Sequence, residues 1–170
     1  MERIDTRLEQ KIGFDRIRKI ISDKCSTTYA ADRTATEVFS NKASEIRRRL
    51  LLTDEMRLIM MFEDSFPSGG FIDCIDFLKP LERSSSAIDL ISIRKLRTML
   101  DTLRKVIGFF ESVKDEVYPN LKRMSAHILG FPEVQRRIEA IIDRYGDVKD
   151  TASDALYEIR RELHSKESAI

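Results

Sequence analysis

The sequence predicts an all-α fold, a multi-helix bundle of about seven to eight helices built around one long central helix. The first observation is composition: the 170 residues include only six Gly and four Pro, while 35% are charged and 42% hydrophobic. This balance is typical of helical proteins. The second observation is the segment 92–113, where apolar residues recur at steps of three and four, as in a helix with helical partners. This seam consists of Ile93, Leu96, Leu100, Leu103, Ile107 and Phe110.

Three helical segments are expected before the central one. The first covers residues 7–24, and Gly13 predicts a bend or break within it, because Gly weakens a helix by about 1 kcal/mol relative to Ala. Polar residues then end this element and cap a second helix over residues 28–39. A third helix is expected over residues 42–63. The inner face predicted for it comprises Ile46, Leu50, Met56, Ile59, Met60 and Phe62.

The segment 65–70, Ser-Phe-Pro-Ser-Gly-Gly, is the clearest loop of the chain. It does not match a phosphate-binding P-loop, because Phe71 and Ile72 follow the last Gly where that motif has Lys and then Ser or Thr. A short helix is predicted over residues 75–81, and three serines at 84–86 form a linker to the central helix.

Two helices are predicted directly after the central one. Tyr118-Pro119 opens a short helix that reaches about residue 129. Pro132 suits the first turn of the next helix, and Gly146 is its expected C-terminal stop. The apolar positions of this second helix are Val134, Ile138, Ile141 and Tyr145.

The last helix begins among several capping residues, Asp150, Thr151 and Ser153. Leu156, Ile159, Leu163 and Ile170 are its apolar positions. It contains no Gly and no Pro and reaches the final residue without a polar tail. This pattern predicts that residues 1–170 form one helical segment and that the chain is a fragment of a longer protein.

Charge and cysteine content exclude several classes of protein. The chain has thirty basic residues and 29 acidic ones, so overall charge does not favour binding to nucleic acid or to an anionic membrane.

Cys25 and Cys74 are 49 positions apart, which fits neither a metal site nor a disulfide framework, and buried reduced thiols are the favoured interpretation. No apolar run approaches the roughly 20 residues of a membrane span, and no signal-peptide core is present. We therefore expect a cytoplasmic protein.

The residues indicate no catalytic, cofactor-binding or metal-binding site. His127 and His164 are far apart, without the spacing of a metal-binding or nucleophile motif, and His164 is expected to be exposed. Two carboxylate pairs have a spacing that would suit a metal between helices. They are Asp73 with Asp76 and Glu111 with Asp115. Among 29 carboxylates such spacings arise by chance, which is the favoured interpretation.

Two further patterns have a functional and a structural interpretation. Arg47, Arg48 and Arg49 would suit binding to nucleic acid, but consecutive helical residues point about 100° apart. A solvated face with ion pairs is therefore favoured.

Several aromatic residues would suit stacking on bases. They are Phe62, Phe66, Phe109 and Phe110. Because they stand at helical spacing among other apolar residues, packing in the core is favoured.

Five segments, in order, resemble the N-terminal part of the second bacterial MutS family (MutS-II), MutS-like ATPases with a C-terminal Smr nuclease domain. They are LEQKIGFDRIR at 8–18, LTDEMR at 52–57, FPSGGFID at 66–73, YPNL at 118–121 and YGDVKDTASDALYEIRREL at 145–163. The likeness covers residues 8–170, although Thr151 stands where the family more often has Asn. None of the five segments is a chemical signature.

The resemblance implies a noncatalytic helical core and lever, without a mismatch-reading domain. Its partners would be downstream ATPase and clamp parts of the same chain, in a parent that forms a homodimer on DNA or a ribosome. ATP and Mg would bind to the parent, with no cofactor in this segment. None of the family's nucleotide or nuclease residues is matched here, so no site residue is carried over.

Three hypotheses follow. The first is that this segment relays ATP-driven motion to a clamp on DNA or a ribosome, in DNA repair, recombination control or ribosome rescue. The second is a free-standing helical-bundle adaptor that binds partner proteins, and the third is an all-helical metalloenzyme or ligand carrier. A continuation of the reading frame into a Walker-type ATPase would favour the first over the second, and metal analysis would test the third.

Overall fold

A computed structural model describes residues 6–83 and 87–168. These contain nine α-helices and no β-strand, which confirms the all-α prediction. The helices are α1 (Thr6–Lys11), α2 (Phe14–Ser22), α3 (Thr28–Thr36), α4 (Ala43–Phe62), α5 (Ile75–Leu78), α6 (Leu90–Ser112), α7 (Pro119–Ser125), α8 (Pro132–Ile141) and α9 (Asp154–Glu167). Short 3-10 turns follow α5 at Lys79–Glu82 and precede α9 at Asp150–Ala152. The predicted serine linker 84–86 and Ile170 lie outside the described residues.

The central helix predicted from the sequence is α6. Asp89 is its N-cap, accepting hydrogen bonds from the Ser92 backbone N–H at 2.9 Å and from the Ser92 hydroxyl at 2.8 Å. These hydrogen bonds satisfy a donor that every helix N-terminus leaves open. With 23 residues, α6 is about 34 Å long, and it reaches both hydrophobic clusters of the fold.

The two clusters bury different faces of α6. At its N-terminal half Leu100 packs with Ile138 and Ile142, supported by the half-buried Ile93 and Leu96. At its C-terminal half the cluster combines residues from α4, α6, the loop after α4, and α7. Its members are Ile59, Phe66, Val106, Phe109, Phe110, Tyr118 and Leu121.

The predicted seam of α6 is confirmed in part. Leu100 and Phe110 are buried, while Leu103 and Ile107 are half-buried, and the buried residues Val106 and Phe109 were not part of the predicted seam. The physical reason is that residues from α4, from the loop after α4 and from α7 all pack in one cluster with the C-terminal half. The buried arc there is wider than a single stripe with steps of three and four.

The break predicted at Gly13 is confirmed, because its φ of 74° lies in the left-handed region that Gly adopts without steric cost. The role predicted for Gly146 is wrong. Helix α8 ends at Ile141, with Ile142 as its C-cap. Gly146, with φ 89°, instead lies in the following turn, where Ile142 and Val148 form an isolated antiparallel bridge.

The inner face predicted for α4 is also wrong for most of its residues. Only Ile59 of the predicted set is buried, while Leu50, Met60 and Phe62 are 64%, 56% and 69% exposed. Apolar residues lie on all sides of α4, so periodicity alone does not select one face. The buried residues of α4 are Glu55 and Ile59.

Candidate functional site

The titratable residues considered as ligands do not converge. No group of three or more His, Cys, Asp or Glu side chains suited to a metal ion occurs in residues 6–83 and 87–168. His127 and His164 are both exposed, as expected for His164. None of the described helices has the length and apolarity to cross a lipid bilayer.

One carboxylate of each pair has a partner elsewhere in the fold. Asp73 accepts a hydrogen bond from the Thr28 hydroxyl at 2.8 Å, which lowers the pKa of Asp73. Asp115 forms an ion pair with Lys122 at 2.7 Å, and this hydrogen bond lowers the pKa of Asp115. Each of these carboxylates therefore joins two elements of the fold.

Both cysteines are free and half-buried, so the predicted reduced thiols are confirmed but not their full burial. Burial raises the pKa of the Cys74 thiol, and the neighbouring Asp73 carboxylate acts in the same direction. The Cys74 thiol is therefore not activated as a nucleophile, since activation needs a lowered pKa.

Three of the four aromatic residues considered for base stacking are core residues. The Phe66 ring meets those of Phe109 and Phe110 edge to face, with centroids 5.1 Å and 6.1 Å apart. This geometry is favourable for aromatic pairs. Packing in the core is confirmed for these three, whereas Phe62 is exposed.

A buried carboxylate that the sequence analysis missed connects two of the resemblance segments. Glu55, from LTDEMR, accepts the backbone N–H of Asn120 at 3.1 Å, the side-chain amide of Asn120 at 2.6 Å and the backbone N–H of Leu121 at 2.8 Å. Asn120 and Leu121 belong to YPNL and lie in the first turn of α7, where backbone N–H groups have no helical partner. Glu55 therefore caps α7 from another helix. The sequence signal for this cap is a carboxylate that stands between Leu52 and Ile59 on the buried side of α4.

The loop segment FPSGGFID is fixed to the central helix by close backbone approach. At Gly70, with φ 83°, a Cβ would lie 2.3 Å from the Thr102 Oγ1. Thr102 is buried and its hydroxyl donates to the Gly69 carbonyl at 3.5 Å. The two glycines thus bring the loop onto α6.

The start of the last resemblance segment is a turn attached to the central helix. Arg94 donates to the Gly146 carbonyl at 2.6 Å and pairs with Asp147 at 2.8 Å, and Arg97 donates to the Asp143 carbonyl at 2.6 Å. The backbone N–H groups of Asp147 and Tyr145 lower the pKa of the Asp143 carboxyl. Two arginines of α6 thereby hold the chain that leads into α9.

In the first resemblance segment, one arginine connects α1, α2 and α3. The Arg18 guanidinium binds Glu9 in a bidentate pair, with distances of 3.1 Å and 2.9 Å, and donates to the carbonyls of Thr34 and Glu37. It also lies over the Phe14 ring at 4.9 Å. A bidentate Arg–carboxylate pair fixes orientation as well as distance, so this residue organises the N-terminal helices.

Large apolar areas of the chain are uncovered. The accessible surface is 13618 Å², whereas a compact protein of 19.8 kDa exposes about 8,600 Å². The exposed apolar residues of α4 are Ile46, Leu50, Leu51, Met56, Met60, Met61 and Phe62. A helix that is apolar on all sides is ordinarily buried on all sides, so the free side of α4 has the properties of an interface.

Three of the grooves on the surface of the described residues differ in chemical character. An apolar one of about 540 Å³ lies between the start of α3 and the segment 71–75, with Met99 at its base. A polar one of about 410 Å³ lies between α6 and α8 and contains both arginines and carboxylates. The third, between α4 and α7, is basic, with Arg47 and Arg48 on one side and Arg123 on the other.

Comparison with known proteins supports the resemblance. No family model matches the chain. Several proteins named Endonuclease MutS2 are similar to it. The one from Geobacillus sp. (strain WCH70) is 25% identical over 97% of this chain. Those from Brevibacillus brevis and Listeria monocytogenes serotype 4a are 24% and 26% identical, each over 98% of this chain. The match covers 21% of each of these relatives. The resemblance found in the five segments is thus confirmed: the chain is similar along nearly its whole length to MutS2 proteins, and it spans about a fifth of their length.

Proposed function

We propose that this chain is the noncatalytic helical core-and-lever segment of a MutS2-like protein, in which it carries nucleotide-driven motion to a clamp on DNA or a ribosome. The ATPase and clamp parts would belong to the same protein, which would act in the cytoplasm as a homodimer. ATP and Mg would bind outside this segment. The similarity to proteins named Endonuclease MutS2 over 97% of the chain supports the assignment.

The observation that carries the proposal is the position of the resemblance segments in the fold. Each supplies contacts between elements, such as Glu55 with the α7 N-terminus and Arg94 with Gly146, and none supplies a cluster of reactive groups. A segment whose family resemblance consists of packing contacts suits a mechanical role. Packed helices have discrete arrangements and transmit rigid-body movement between them.

The reading frame that encodes this chain is the first test. A Walker-type ATPase encoded downstream in the same frame is the expected result. A stop codon directly after Ile170 would refute the segment hypothesis and favour a free-standing adaptor, which the exposed apolar surface would also suit.

The relay itself is tested by introducing glycines that lower the helix propensity of α6 in the full-length protein. Lys95→Gly with Thr98→Gly changes two exposed positions and creates no cavity, at a cost of about 0.5–1 kcal/mol per substitution. The matched control is Arg136→Gly with Ala140→Gly on the exposed side of α8. If α6 transmits motion, the first pair reduces the effect of nucleotide on substrate affinity severalfold and the control does not. Unchanged coupling in the first variant would count against the relay.

A further inference from the structure

The basic groove between α4 and α7 combines arginine side chains with apolar surface. It consists of two adjoining hollows of about 410 Å³ and 310 Å³, which share Arg48 and Asn120. Arg47 and Arg48 line it from α4, and Arg123 lines it from α7. Its large apolar lining residues are Leu51, Leu52 and Met124. Among the described residues, none that lines the groove is Asp or Glu, so the groove suits a ligand that is both apolar and acidic.

The three arginines of this groove form no ion pair within residues 6–83 and 87–168. Arg123 donates to the side-chain oxygen of Asn120, a neutral acceptor, at 3.2 Å. Arg47 and Arg48 are exposed. Like charges gathered in one groove repel each other, so carboxylates bound among them stabilise the arrangement.

The ion-paired face predicted for the three consecutive arginines is present at Arg49, which pairs with Glu37 and Glu45. Hydrogen bonds from Arg49 lower the pKa of the Glu45 carboxyl, and the nearby charge of Arg48 acts more weakly in the same direction. The Glu45 carboxylate is thus held by Arg49. Arg47 and Arg48 line the groove instead.

The α4 wall of the groove has the length of a short helix. It runs from Ala43 to Leu52, a rise of about 14 Å or roughly two and a half helical turns. A helix with an apolar stripe packs into such a groove through side chains at steps of three and four. Positive charge stands on both walls, at Arg48 on α4 and at Arg123 on α7. Carboxylates on both edges of the apolar stripe therefore complement the groove.

This groove is separate from the uncovered apolar side of α4. Met60 stands nine positions after Leu51, which corresponds to about 180° around the helix, and Leu50 stands about 200° from Arg48. The side with Leu50 and Met60 offers apolar surface, as permanent interfaces do, which are more hydrophobic than reversible ones. A groove with arginines on both walls suits reversible binding guided by charge. Its occupant is therefore a helix of a separate protein.

We propose that the α4–α7 groove binds an acidic amphipathic helix of a partner protein. The apolar stripe of that helix lies against the apolar lining residues of the groove. Its carboxylates pair on one edge with Arg47 and Arg48, and on the other edge with Arg123. The described residues that line the groove favour protein over nucleic acid, because they include no Phe, Tyr or Trp for base stacking and a phosphate backbone leaves the leucines without an apolar partner. This contact does not depend on the proposed relay function.

Fluorescence anisotropy tests the contact with labelled synthetic helices of about 15 residues, a length at which helices begin to be stable in water. The first, the Glu helix, has a leucine stripe with Glu on both edges, and the second has Gln in place of each Glu. The 170-residue chain is expected to bind the Glu helix saturably and the Gln helix at least about tenfold more weakly. Arg47→Glu with Arg48→Glu is expected to weaken binding of the Glu helix by about tenfold or more, since like charges then meet.

A third synthetic helix, with Lys in place of each Glu, provides a rescue. It is expected to bind the variant Arg47→Glu with Arg48→Glu more tightly than it binds the unchanged chain, because opposite charges meet again. Rescue also shows that this variant is folded.

Arg136→Glu with Arg137→Glu provides the matched control, because these are also consecutive exposed arginines on a helix and the change in net charge is the same. The control is expected to bind the Glu helix as the unchanged chain does.

Leu51→Ser distinguishes a protein ligand from nucleic acid. Leu51 is 45% exposed, so the substitution creates no buried cavity, and it leaves the arginines in place. It is expected to weaken binding of the Glu helix severalfold and to leave the weaker binding of a labelled single-stranded or duplex oligonucleotide unchanged.

The proposal is overturned if the Glu helix does not bind saturably, if the control variant weakens its binding equally, if the Lys helix gives no rescue, or if Leu51→Ser has no effect. It is also overturned if an oligonucleotide binds more tightly than the Glu helix and loses that binding in Arg47→Glu with Arg48→Glu, since the groove would then be a nucleic-acid site.

Discussion

Removal of the Glu55 carboxylate is expected to destabilise the fold far more than removal of its exposed neighbour. Glu55 is buried, 8% exposed, and accepts three N–H groups at the N-terminus of α7. Loss of a helix cap costs about 0.5–2 kcal/mol, and buried donors left without a partner cost a further 1–3 kcal/mol or so. For Glu55→Ala we therefore expect a loss of about 2–4 kcal/mol in the free energy of unfolding.

Glu55→Gln separates the charge from the acceptor. The amide keeps one oxygen as an acceptor, but its NH₂ group replaces the second oxygen and faces the N–H groups of Asn120 and Leu121. Hydrogen bonds to charged groups contribute more than neutral ones. We therefore expect a smaller loss of about 1–2 kcal/mol for this variant, intermediate between the unchanged chain and Glu55→Ala.

Urea denaturation at neutral pH, followed by circular dichroism, measures both losses as a lower midpoint at constant slope. Asp54→Ala is the matched control, since Asp54 is the preceding residue on α4 and its carboxylate pairs with the exposed Arg57, at 2.8 Å. Exposed pairs of this kind contribute about 0–1 kcal/mol. Equal losses for Glu55→Ala and Asp54→Ala would refute the role of Glu55 as a cap across helices.

Three other predictions concern stability. Gly108→Ala is expected to stabilise the chain by about 0.5–1 kcal/mol, because a Cβ at this exposed helical position meets nothing within 4 Å. Gly70→Ala is expected to destabilise the chain, because a Cβ there would collide with Thr102. Thermal melts of the two variants compare them directly. Asp89→Ala is expected to destabilise the chain at neutral pH. Since hydrogen bonds from Ser92 lower the pKa of Asp89 in the folded state, that difference should shrink as the pH falls through the folded-state pKa, which melts at several pH values will show. Leu50→Glu is expected to leave stability within about 0.5 kcal/mol, because the side chain is 64% exposed; a large loss in urea denaturation would show that this face is covered.

The parts of the fold that could be predicted from sequence are those encoded locally. The break at Gly13 follows from the conformational freedom of one residue, and the approximate extent of α6 follows from its unbroken periodicity. Both depend on residues a few positions apart. Local signals of this kind are visible in a single sequence.

The parts that could not be predicted join residues distant in sequence. Glu55 meets Leu121 across 66 positions, and the basic groove appears only when Arg48 and Arg123 are brought together by α4 and α7. The face of α4 was assigned wrongly for a related reason. The apolar residues of α4 lie all around the helix, so the elements that pack against it determine which side is buried. The periodicity of the α4 sequence carries no information about those elements.

The same property of α4 connects the resemblance with the exposed surface. A helix with apolar residues on every side gains little from folding in this chain alone, because burial of apolar area is the main favourable term in folding and several of its large apolar side chains stay exposed. Such a sequence is understandable if a further surface covers Leu50, Met60 and Met61. The chain exposes about 5,000 Å² more than a compact protein of its mass, and the relatives are about five times longer than the segment they share with it. The uncovered face of α4 therefore has the properties of an interface, formed in part by Leu50, Met60 and Met61.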